Sequence, residues 1–540
     1  MTFQPPKHLQ RLASLGPAPT FLCSLLAGAL YAAGFPIKGL PPLGFPTIIG
    51  LYLLMGLLSN ALAANGKFPL MKLILVTLGF SLGHYQLGFY WIPYTLREFG
   101  GLIAPFNYLA GLGFSAVIVP QLWSFFLGLY FIRQKEWLSK ISANPALLAG
   151  TLTLLESFIP QQFPAHAGHV WMALPALTRL APLFGAPFYS FITYYLIFRL
   201  VMLNTRRDYT LSASLIVLVL GANFLAPQMW QNTATSSTVK IKLVQPNVGN
   251  FMKIASEAGD NLALRDVFTR YLELSQSEQE AQLIVWPETA YPRLMQSKQK
   301  NGDTLMAPNL IRKVIELSGA DLLTGGYDHN PQAAFNSQFE SEYNTAFLFA
   351  AKDLKLAASY HKMNLIPFGE GLPFGPLNGF LSQYITNISY FAKGDDHTLF
   401  HSQRGSRFIT PICYEILFDS FIRDYLNANA ERPHFILNLT NDSWYGITSE
   451  PYQHLFLAKW RASEFQLPLV RMTNTGISSV LYPGGHESER LELNQALSKV
   501  YEVELKETTP TLFQKIGLWG VLLFIGFFGV LEFMRAKSPL

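Results

Sequence analysis

Long apolar segments are the feature that most constrains how this chain folds. Each approaches the ~20 residues that an α-helix needs to cross about 30 Å of hydrocarbon. The windows fall at 18–35, 45–64, 70–93, 105–132, 145–160, 183–203, 210–227 and 512–533. Any one of them alone could be a buried helix of a large globular protein. Together they predict a polytopic α-helical membrane domain with about eight spans.

The composition points the same way, because only 14% of the 540 residues are charged and 50% are hydrophobic. A soluble domain carries roughly a quarter charged residues. Residues 228–511, in contrast, have an ordinary soluble composition. We therefore predict a transmembrane domain at 1–227, an extramembrane domain at 228–511, and a closing helix with its tail at 512–540. No basic run is interleaved with aromatic residues, so a nucleic-acid partner is not expected.

The distribution of Lys and Arg predicts the orientation, since short cytoplasmic loops of membrane proteins are enriched in both. With the N-terminus inside, the inner segments carry Lys7, Arg11, Lys67, Arg133, Lys135, Lys140, Arg206, Arg207, Arg535 and Lys537. The opposite short loops carry Lys38, Arg97 and Arg179. Seven spans before residue 228 then place the large domain outside the cytoplasm and both termini inside.

The extramembrane domain alternates strand-like and helix-like stretches. By short apolar runs and β-branched content, strands are predicted at 239–244, 283–286, 321–325, 345–350, 407–413, 435–440 and 469–473. Helices are predicted at 260–278, 308–318, 419–429 and 452–464. Interleaving of this kind favours a layered α/β domain.

Chemically capable side chains follow several of these strands. Glu288 follows 283–286, Cys413 ends 407–413, and Lys362 lies between them in the sequence YHKMNLIPFGE. Each is a weak signal alone, because a single Glu or Lys is more often a solvated charge and a single Cys an inert core residue. It is their combination that indicates a catalytic site.

Four segments resemble the signature segments of the nitrilase superfamily, in that family's order: VWPETAYP, YHKMNLIPFGE, TPICYEILF and NLTNDSWYG. The resemblance implies an α-β-β-α sandwich with Glu288 as general base, Cys413 as nucleophile and Lys362 as the cation that stabilises the oxyanion. It also implies that Glu370 supports Lys362. The backbone N–H of Tyr414 is a second expected oxyanion donor.

The chemistry gives a reason for each residue type. A thiol attacks as thiolate and has a free pKa of about 8.5, so a carboxylate placed to take its proton raises the reactive fraction. The charge that develops on the acyl oxygen needs a fixed donor, whose loss costs roughly 3–4 kcal/mol of transition-state stabilisation. Lys362 beside Glu288 and Glu370 should remain protonated, because nearby opposite charges favour the charged form.

The whole chain resembles the apolipoprotein N-acyltransferases, the membrane-embedded branch of that superfamily. The match extends through PYQHLFLAKWRASEFQLPLVRMTNTGISSV. It implies a phospholipid as acyl donor, a diacylglyceryl apolipoprotein as acceptor, and a bacterial inner membrane location with the catalytic domain on the periplasmic side. A monomer is expected, and neither a cofactor nor a metal.

Some positions are less specific or depart from the family pattern. Asn344 and Glu415 match family positions near the active site, and a structural role is the alternative for each. Trp444 and Tyr445 are candidates for contacts with substrate, with a core or interfacial role as the alternative. Asn250 and Ile254 stand where the family usually has Gln and Trp, which leaves the lipid contacts of this loop open. The segment 466–468 also differs from the family.

Two other functions fit the sequence. A membrane-tethered amidase of the nitrilase type would use the same three residues on small amides. A non-catalytic membrane scaffold or transporter with an inactive nitrilase fold is the second alternative, and the presence of Glu288, Lys362 and Cys413 argues against it.

Overall fold

The computed structural model describes residues 6–62, 69–98, 100–134, 144–161, 163–202, 206–226, 237–276, 280–298, 304–333, 339–383 and 388–537. The chain divides into two compact units. The helical unit comprises Met1–Pro93, Pro105–Gln231 and Thr511–Leu540, and the α/β unit comprises Tyr94–Ala104 and Asn232–Pro510. The predicted domain boundary at 227–228 lies outside the described residues, as do Lys67, Lys135 and Lys140.

The helical unit is built from apolar helices joined by Pro- and Gly-rich turns. They are α1 (Lys7–Ala13), α2 (Pro17–Ala33), α3 (Phe45–Leu57), α4 (Ser59–Leu62), α5 (Leu70–Gly88), α7 (Phe106–Ser115), α8 (Pro120–Ile132), α9 (Pro145–Phe158), α10 (Ala181–Met202), α11 (Arg206–Leu225), α18 (Leu512–Ile516) and α19 (Trp519–Lys537). The short α6 (Ile92–Glu98) contributes residues to both units. Every predicted apolar window contains one or two of these helices.

Two of these helices, α5 and α10, are long and apolar enough to cross a membrane, within the part of the chain that the structure describes. The number rises to four if α1 with α2 and α7 with α8 each form one broken span, with bends of 112° and 43°. The helices α3 and α9 are apolar but shorter. The window at 105–132, predicted as one span, is interrupted before Pro120, whose ring cannot continue a preceding helix.

Close helix contact in this unit depends on glycine. A Cβ added to Gly83 of α5 would lie 1.9 Å from the carbonyl oxygen of Leu25 in α2, which is backbone and has no side chain to move aside. In lipid, no hydrophobic force drives apolar helices together, so their association depends on close packing. Small residues such as glycine permit this close approach.

The first sheet of the α/β unit has seven strands within the described residues: β1 (Ser237–Gln245), β2 (Leu283–Val285), β3 (Tyr291–Met295), β4 (Asp321–His329), β5 (Glu342–Phe349), β6 (Leu356–His361) and β12 (Leu497–Leu505). The order is β12-β1-β2-β4-β5-β6, with β3 paired to β4. Strands β1, β2 and β4 are parallel neighbours, whereas β5, β6 and β12 join antiparallel.

The second sheet has the order β11-β10-β9-β8-β7 among the described residues. Its strands are β7 (Phe400–His401), β8 (Arg407–Ile409), β9 (Phe435–Thr440), β10 (Leu469–Thr473) and β11 (Ser479–Leu481). The three central strands are parallel. Gln245 of β1 accepts hydrogen bonds from Thr473 and Ser478, which link the two sheets.

The α/β unit also contains the helices α12 (Asn250–Glu257), α13 (Asn261–Ser275), α14 (Asn309–Ser318), α15 (Asn378–Leu381), α16 (Asp419–Ala428) and α17 (Glu450–Phe465). Most of them pack against the sheets, whereas α15 has no buried residue. Val267 and Tyr271 of α13 share a buried apolar cluster with Ile311 of α14 and with Ile284 and Trp286 of the first sheet. The predicted layered α/β domain is confirmed by the two sheets and the helices packed against them.

The strand predicted at 407–413 ends early. Regular pairing stops after Ile409, and only one further bridge, between Ile412 and Leu439, continues the alignment with β9. Pro411 cannot donate a ladder hydrogen bond, because proline has no backbone N–H. Cys413 therefore begins a 3₁₀ turn, Cys413–Leu417, at the end of the sheet.

Substitution of Gly83 by Ala should destabilise the helical unit, because the added Cβ meets backbone rather than a movable side chain. Gly128→Ala is the matched control, since Gly128 lies inside α8 with open space around its Cα. There, Ala should be neutral or stabilising by roughly 0.5–1 kcal/mol. Thermal unfolding in detergent should show a lower midpoint for Gly83→Ala only. Equal midpoints for the two variants would contradict the packing described.

Candidate active site

Four segments that follow strands meet in the α/β unit. Glu288 lies beyond β2, Lys362 directly follows β6, Cys413 comes after β8, and Asp442 comes after β9. Parallel strands place their carboxyl ends at the same edge of a sheet, which is where open α/β folds place ligands. All four side chains are buried. The fold thus brings together residues that are far apart in the sequence.

Lys362 lies between two carboxylates. Its Nζ is 3.2 Å from Oε1 of Glu288 and 2.8 Å from Glu370, and its side chain has no solvent exposure. Burial alone lowers the pKa of Lys362, but Glu288, Glu370 and the Cys413 sulfur outweigh it and raise the pKa above its ordinary value. The ammonium is therefore a permanent buried cation.

Asn344 of β5 connects the same two carboxylates. Its Nδ2 donates to Oε1 of Glu288 at 2.8 Å and to Oε1 of Glu370 at 3.0 Å. The backbone carbonyl oxygen of Asn344 accepts a hydrogen bond from the backbone N–H of Lys362 at 2.8 Å. Glu370 also accepts from the N–H of Ile366 at 3.0 Å. Every oxygen that faces Lys362 is therefore held by a second donor, which fixes the geometry of the cluster.

Cys413 has a strained backbone. Its φ of +52° lies in the left-handed region, where a non-glycine residue costs about 1–3 kcal/mol and persists only when its surroundings impose it. Burial raises the pKa of the thiol well above its usual value, and Glu288 adds to this, whereas Lys362 acts against it. The resting thiol is thus neutral, and a base must take its proton before the sulfur can react as a thiolate.

Glu415 connects the segment before Cys413 to the segment after Lys362. Its carboxylate accepts from the N–H groups of Ile412, Met363 and Asn364 at 2.7–2.8 Å. The hydroxyl of Tyr360 donates to both oxygens, at 2.9 and 3.0 Å. Burial raises the pKa of Glu415 to about 7, against the backbone donors and Lys362, which lower it. Both oxygens act as acceptors and hold these two segments in a fixed alignment.

Tyr414 is buried and packs edge-on against Phe418, with ring centroids 4.7 Å apart. Burial raises the pKa of its hydroxyl. Its side chain lines an open cavity of about 390 Å³, together with Asn364 and Leu365 from the segment that follows Lys362. A cavity of this size is within the range of ligand pockets.

The helix α12 contacts the site through Lys253 and Asn250. Lys253 donates to Oγ1 of Thr289 at 2.6 Å, and its Nζ lies 5.6 Å from the centroid of the Trp444 ring. Asn250 donates to the carbonyl oxygen of Ser443 at 3.2 Å, whereas Ile254 is half exposed. Asn250 thus contacts the loop that carries Trp444.

Tyr445 lies in the same loop, in the 3₁₀ turn Asp442–Tyr445. Burial raises the pKa of its hydroxyl, and so do the acidic groups of Glu450, Cys413 and Asp442. Trp444 is half-buried beside Lys253.

Asp442, Glu450 and His454 form a buried cluster whose ligand-type atoms all lie within 4.8 Å of one another. Nδ1 of His454 is 3.3 Å from Oδ1 of Asp442 and 3.6 Å from Oε1 of Glu450. The guanidinium of Arg471 lies 3.0 Å from the other oxygen of Asp442. Since Arg471 already supplies a positive charge, the donor set does not fit a resident divalent cation.

Sequence reasoning did not single out Lys253, Thr289, Asn438 or Arg471. Asn438 and Arg471 lie inside predicted strands at positions that a hydrophobic pattern would assign to the core. For Arg471, the available signal in the sequence was a charged residue within an otherwise apolar run, because a buried Arg is rare unless it is paired.

Two family models match the chain. The Carbon-nitrogen hydrolase model covers residues 240–488, and the Apolipoprotein N-acyltransferase N-terminal domain model covers residues 27–198.

The chain is also similar to proteins named Apolipoprotein N-acyltransferase. That of Bdellovibrio bacteriovorus is 32% identical over 470 residues, covering 82% of each chain. That of Shewanella oneidensis is 30% identical, covering 83% of this chain and 86% of the relative. That of Rickettsia prowazekii is 28% identical, covering 84% and 88%.

Among solved structures, a CN-hydrolase superfamily protein from Xanthomonas campestris is 17% identical, with a TM-score of 0.34 over 49% of this chain and 91% of its own. A nitrilase-superfamily amidase from Nesterenkonia is 18% identical, with a TM-score of 0.33 over 54% of this chain and 98% of its own.

Glu415→Gln should loosen the Cys413 segment while leaving the fold in place. An amide presents one acceptor oxygen, so its NH₂ group must face either Ile412 N–H or the N–H groups of Met363 and Asn364. An unsatisfied buried donor costs about 1–3 kcal/mol. At pH 8 we expect a lower unfolding midpoint together with faster alkylation of Cys413 by iodoacetamide.

Glu464→Gln is the control for this experiment, because Glu464 is also fully buried and pairs with Arg461. It should lower the unfolding midpoint without changing the alkylation rate of Cys413. If Cys413 in Glu415→Gln is alkylated no faster than in this control, Glu415 does not hold the Cys413 segment.

Proposed function

Because the chain belongs to the apolipoprotein N-acyltransferase family, we propose that it transfers an acyl chain from a phospholipid, through a thioester on Cys413, to an apolipoprotein. The chain is an acyltransferase of lipoprotein maturation. The acceptor atom in this proposal is the α-amino nitrogen of the N-terminal diacylglyceryl-cysteine. Glu288 is the general base, Lys362 stabilises the oxyanion, and Cys413 is the nucleophile.

The observation that carries this assignment is the buried cation beside a neutral, strained thiol. Lys362 is held by Glu288 and Glu370 and has no solvent exposure. The thiol of Cys413 is close enough to both Glu288 and Lys362 for each to shift its pKa. A base, a cation and a nucleophile in one buried cluster are the parts that acyl transfer through a covalent intermediate requires.

In the first step, Glu288 takes the proton of the thiol as sulfur attacks the carbonyl carbon of the phospholipid ester. The new C–S bond forms, and the carbonyl oxygen becomes an oxyanion that Lys362 stabilises. The ester C–O bond then breaks, and Glu288 returns its proton to the leaving alkoxide, which departs as a lysophospholipid. The product is an acyl-thioester on Cys413.

In the second step, the α-amino nitrogen of the acceptor attacks the thioester carbonyl, and Glu288 takes a proton from that nitrogen. Lys362 again faces the oxyanion. The C–S bond breaks, an amide forms, and the thiolate regains the proton from Glu288. Asn344 and Glu370 hold the side chains of Glu288 and Lys362 in fixed positions relative to each other in both steps.

Apolar side chains in the segment that follows Lys362 suit lipid substrates. Phe368, Phe374 and Phe380 are about half exposed, at 55%, 46% and 59%. Large apolar groups exposed together mark surfaces that bind apolar ligands or partners. Trp444 and Tyr445, in the loop that follows β9, are further proposed contacts with the acyl chain.

The proposed setting is the bacterial inner membrane, crossed by about eight spans. The α/β unit lies on the periplasmic side, both termini lie in the cytoplasm, and the enzyme works as a monomer. The predicted excess of Lys and Arg in the inner loops supports this orientation. Spans at 1–227, a catalytic domain at 228–511 and a closing helix at 512–540 complete the proposed organisation.

Incubation of the purified protein with phospholipid should add one acyl chain to Cys413, detected by intact-mass and peptide mass spectrometry. Hydroxylamine should release it, as expected for a thioester. Cys413→Ser should carry no such adduct. Lys362→Met should slow its formation by about 100- to 1,000-fold, the usual effect of removing one oxyanion donor.

Lys242→Met is the matched control, because Lys242 is a buried lysine of the same unit that donates to the Ser275 carbonyl oxygen. It should leave adduct formation within about threefold of the parent rate. Turnover of small amides without an acyl adduct would support the membrane amidase instead. If cells whose only copy of this protein carries Cys413→Ala still N-acylate their lipoproteins normally, the result would support the non-catalytic membrane scaffold.

The orientation can be tested with introduced cysteines, because Cys413 is too buried to report it. In a Cys23→Ser, Cys413→Ser background, Ala428→Cys places a thiol at the exposed end of α16 and Ser14→Cys places one beside α1. An impermeant maleimide added to intact spheroplasts should label only the first variant. Labelling of Ser14→Cys before the membrane is disrupted would contradict the proposed orientation.

A further inference from the structure

Arg471 lies at the centre of the second sheet with no solvent exposure. It belongs to β10 and is aligned with Asn438 of the parallel neighbour β9. Neither side chain contacts the Glu288, Lys362 and Glu370 cluster directly. A guanidinium in the middle of a sheet costs desolvation unless its partners compensate, so its contacts indicate what it does.

The guanidinium makes two directed hydrogen bonds. Nη1 donates to Oδ1 of Asn438 at 2.8 Å, and Nη2 donates to Oδ2 of Asp442 at 3.0 Å. Since the Asn438 oxygen faces Arg471, its NH₂ group must point away. That group donates to the carbonyl oxygens of Pro411 at 3.0 Å and Cys413 at 3.3 Å.

The ionisable groups around Arg471 shift one another's pKa values. Burial alone would raise the pKa of Asp442, but Arg471 and His454 bring it below its ordinary value. Burial and the neighbouring Asp442 raise the pKa of Glu450, while burial and Arg471 lower that of His454. Arg471 and Asp442 form the ion pair of this network, and the two directed hydrogen bonds of Arg471 fix the orientation of its guanidinium.

We propose that Arg471 is a positioning residue for the nucleophile: it orients the Asn438 amide, which holds the backbone carbonyls on both sides of the strained turn at Cys413. The left-handed φ of Cys413 needs such support, because an unconstrained chain would relax out of it. Relaxation would re-aim the thiol relative to Glu288 and Lys362. This role rests on the proposed thioester chemistry.

The first test is Arg471→Lys, because an ammonium keeps the charge but cannot bridge Asn438 and Asp442 as a planar guanidinium does. The rate of acyl-adduct formation on Cys413 is measured over a range of phospholipid concentrations. We expect the maximal rate to fall by about 10- to 100-fold, as for a small misplacement of a reacting group. The half-saturating phospholipid concentration should stay unchanged, because Arg471 does not touch substrate.

Arg461→Lys is the matched control, since Arg461 is an equally buried guanidinium in the same unit, paired with Glu464 at 3.0 Å. Both variants should lose similar thermal stability, but only Arg471→Lys should lose acylation rate. Equal rate losses in both would assign Arg471 a purely structural role and overturn the proposal. If Arg471→Lys does not fold, Asn438→Ala carries the same comparison.

A double-variant cycle tests the route through Asn438. If Arg471 acts by orienting Asn438, Asn438→Ala combined with Arg471→Lys should be no slower than the slower single variant, because coupled residues are not additive. Additive losses would mean that Arg471 does not act through Asn438. A parent enzyme that forms no adduct would defeat the proposed function, whereas normal acylation by the variants would defeat only this inference.

Discussion

The ammonium of Lys362, buried between Glu288 and Glu370, is the interaction on which the rest of the site depends. Removing a charge from water is expensive, and it is tolerated here because two carboxylates compensate it at 2.8 and 3.2 Å. The same compensation keeps Lys362 protonated and keeps Glu288 close to the thiol of Cys413. Asn344 bridges the two carboxylates, so none of the three charges can shift alone.

Cys413 is held by different means, through backbone groups. Cys413 has a left-handed φ at the end of a shortened strand, and its carbonyl is bonded by Asn438. Glu415 holds the N–H of Ile412 and those of the residues that follow Lys362. A single buried carboxylate thus joins the segment before Cys413 to the segment after Lys362. The strain at Cys413 is sustained by these hydrogen bonds from both sheets.

Much of the α/β unit could be predicted from sequence, because buried parallel strands have short, almost continuous apolar sequences. The runs at 435–440 and 469–473 coincide with β9 and β10. Strand β12 was missed because its alternating charged residues, in LSKVYEVEL, suit a half-exposed edge and give no apolar run. Strand β6, which delivers Lys362, was missed for a similar reason, since LAASYH is short and mixed. A local sequence pattern does not identify a strand such as β12, because the strand is stabilised by pairing with a segment far away in the sequence.

The sequence by itself determined the residue types of the site and their family, because Glu288, Lys362 and Cys413 occur in recognisable local segments. It also determined that the chain has an apolar helical part and an α/β part, since composition and periodicity are local properties. Only the tertiary structure decided which oxygens compensate Lys362 and which groups brace Cys413. Those contacts join segments up to 74 residues apart in the chain. Their distances depend on how two sheets align, which no local pattern encodes.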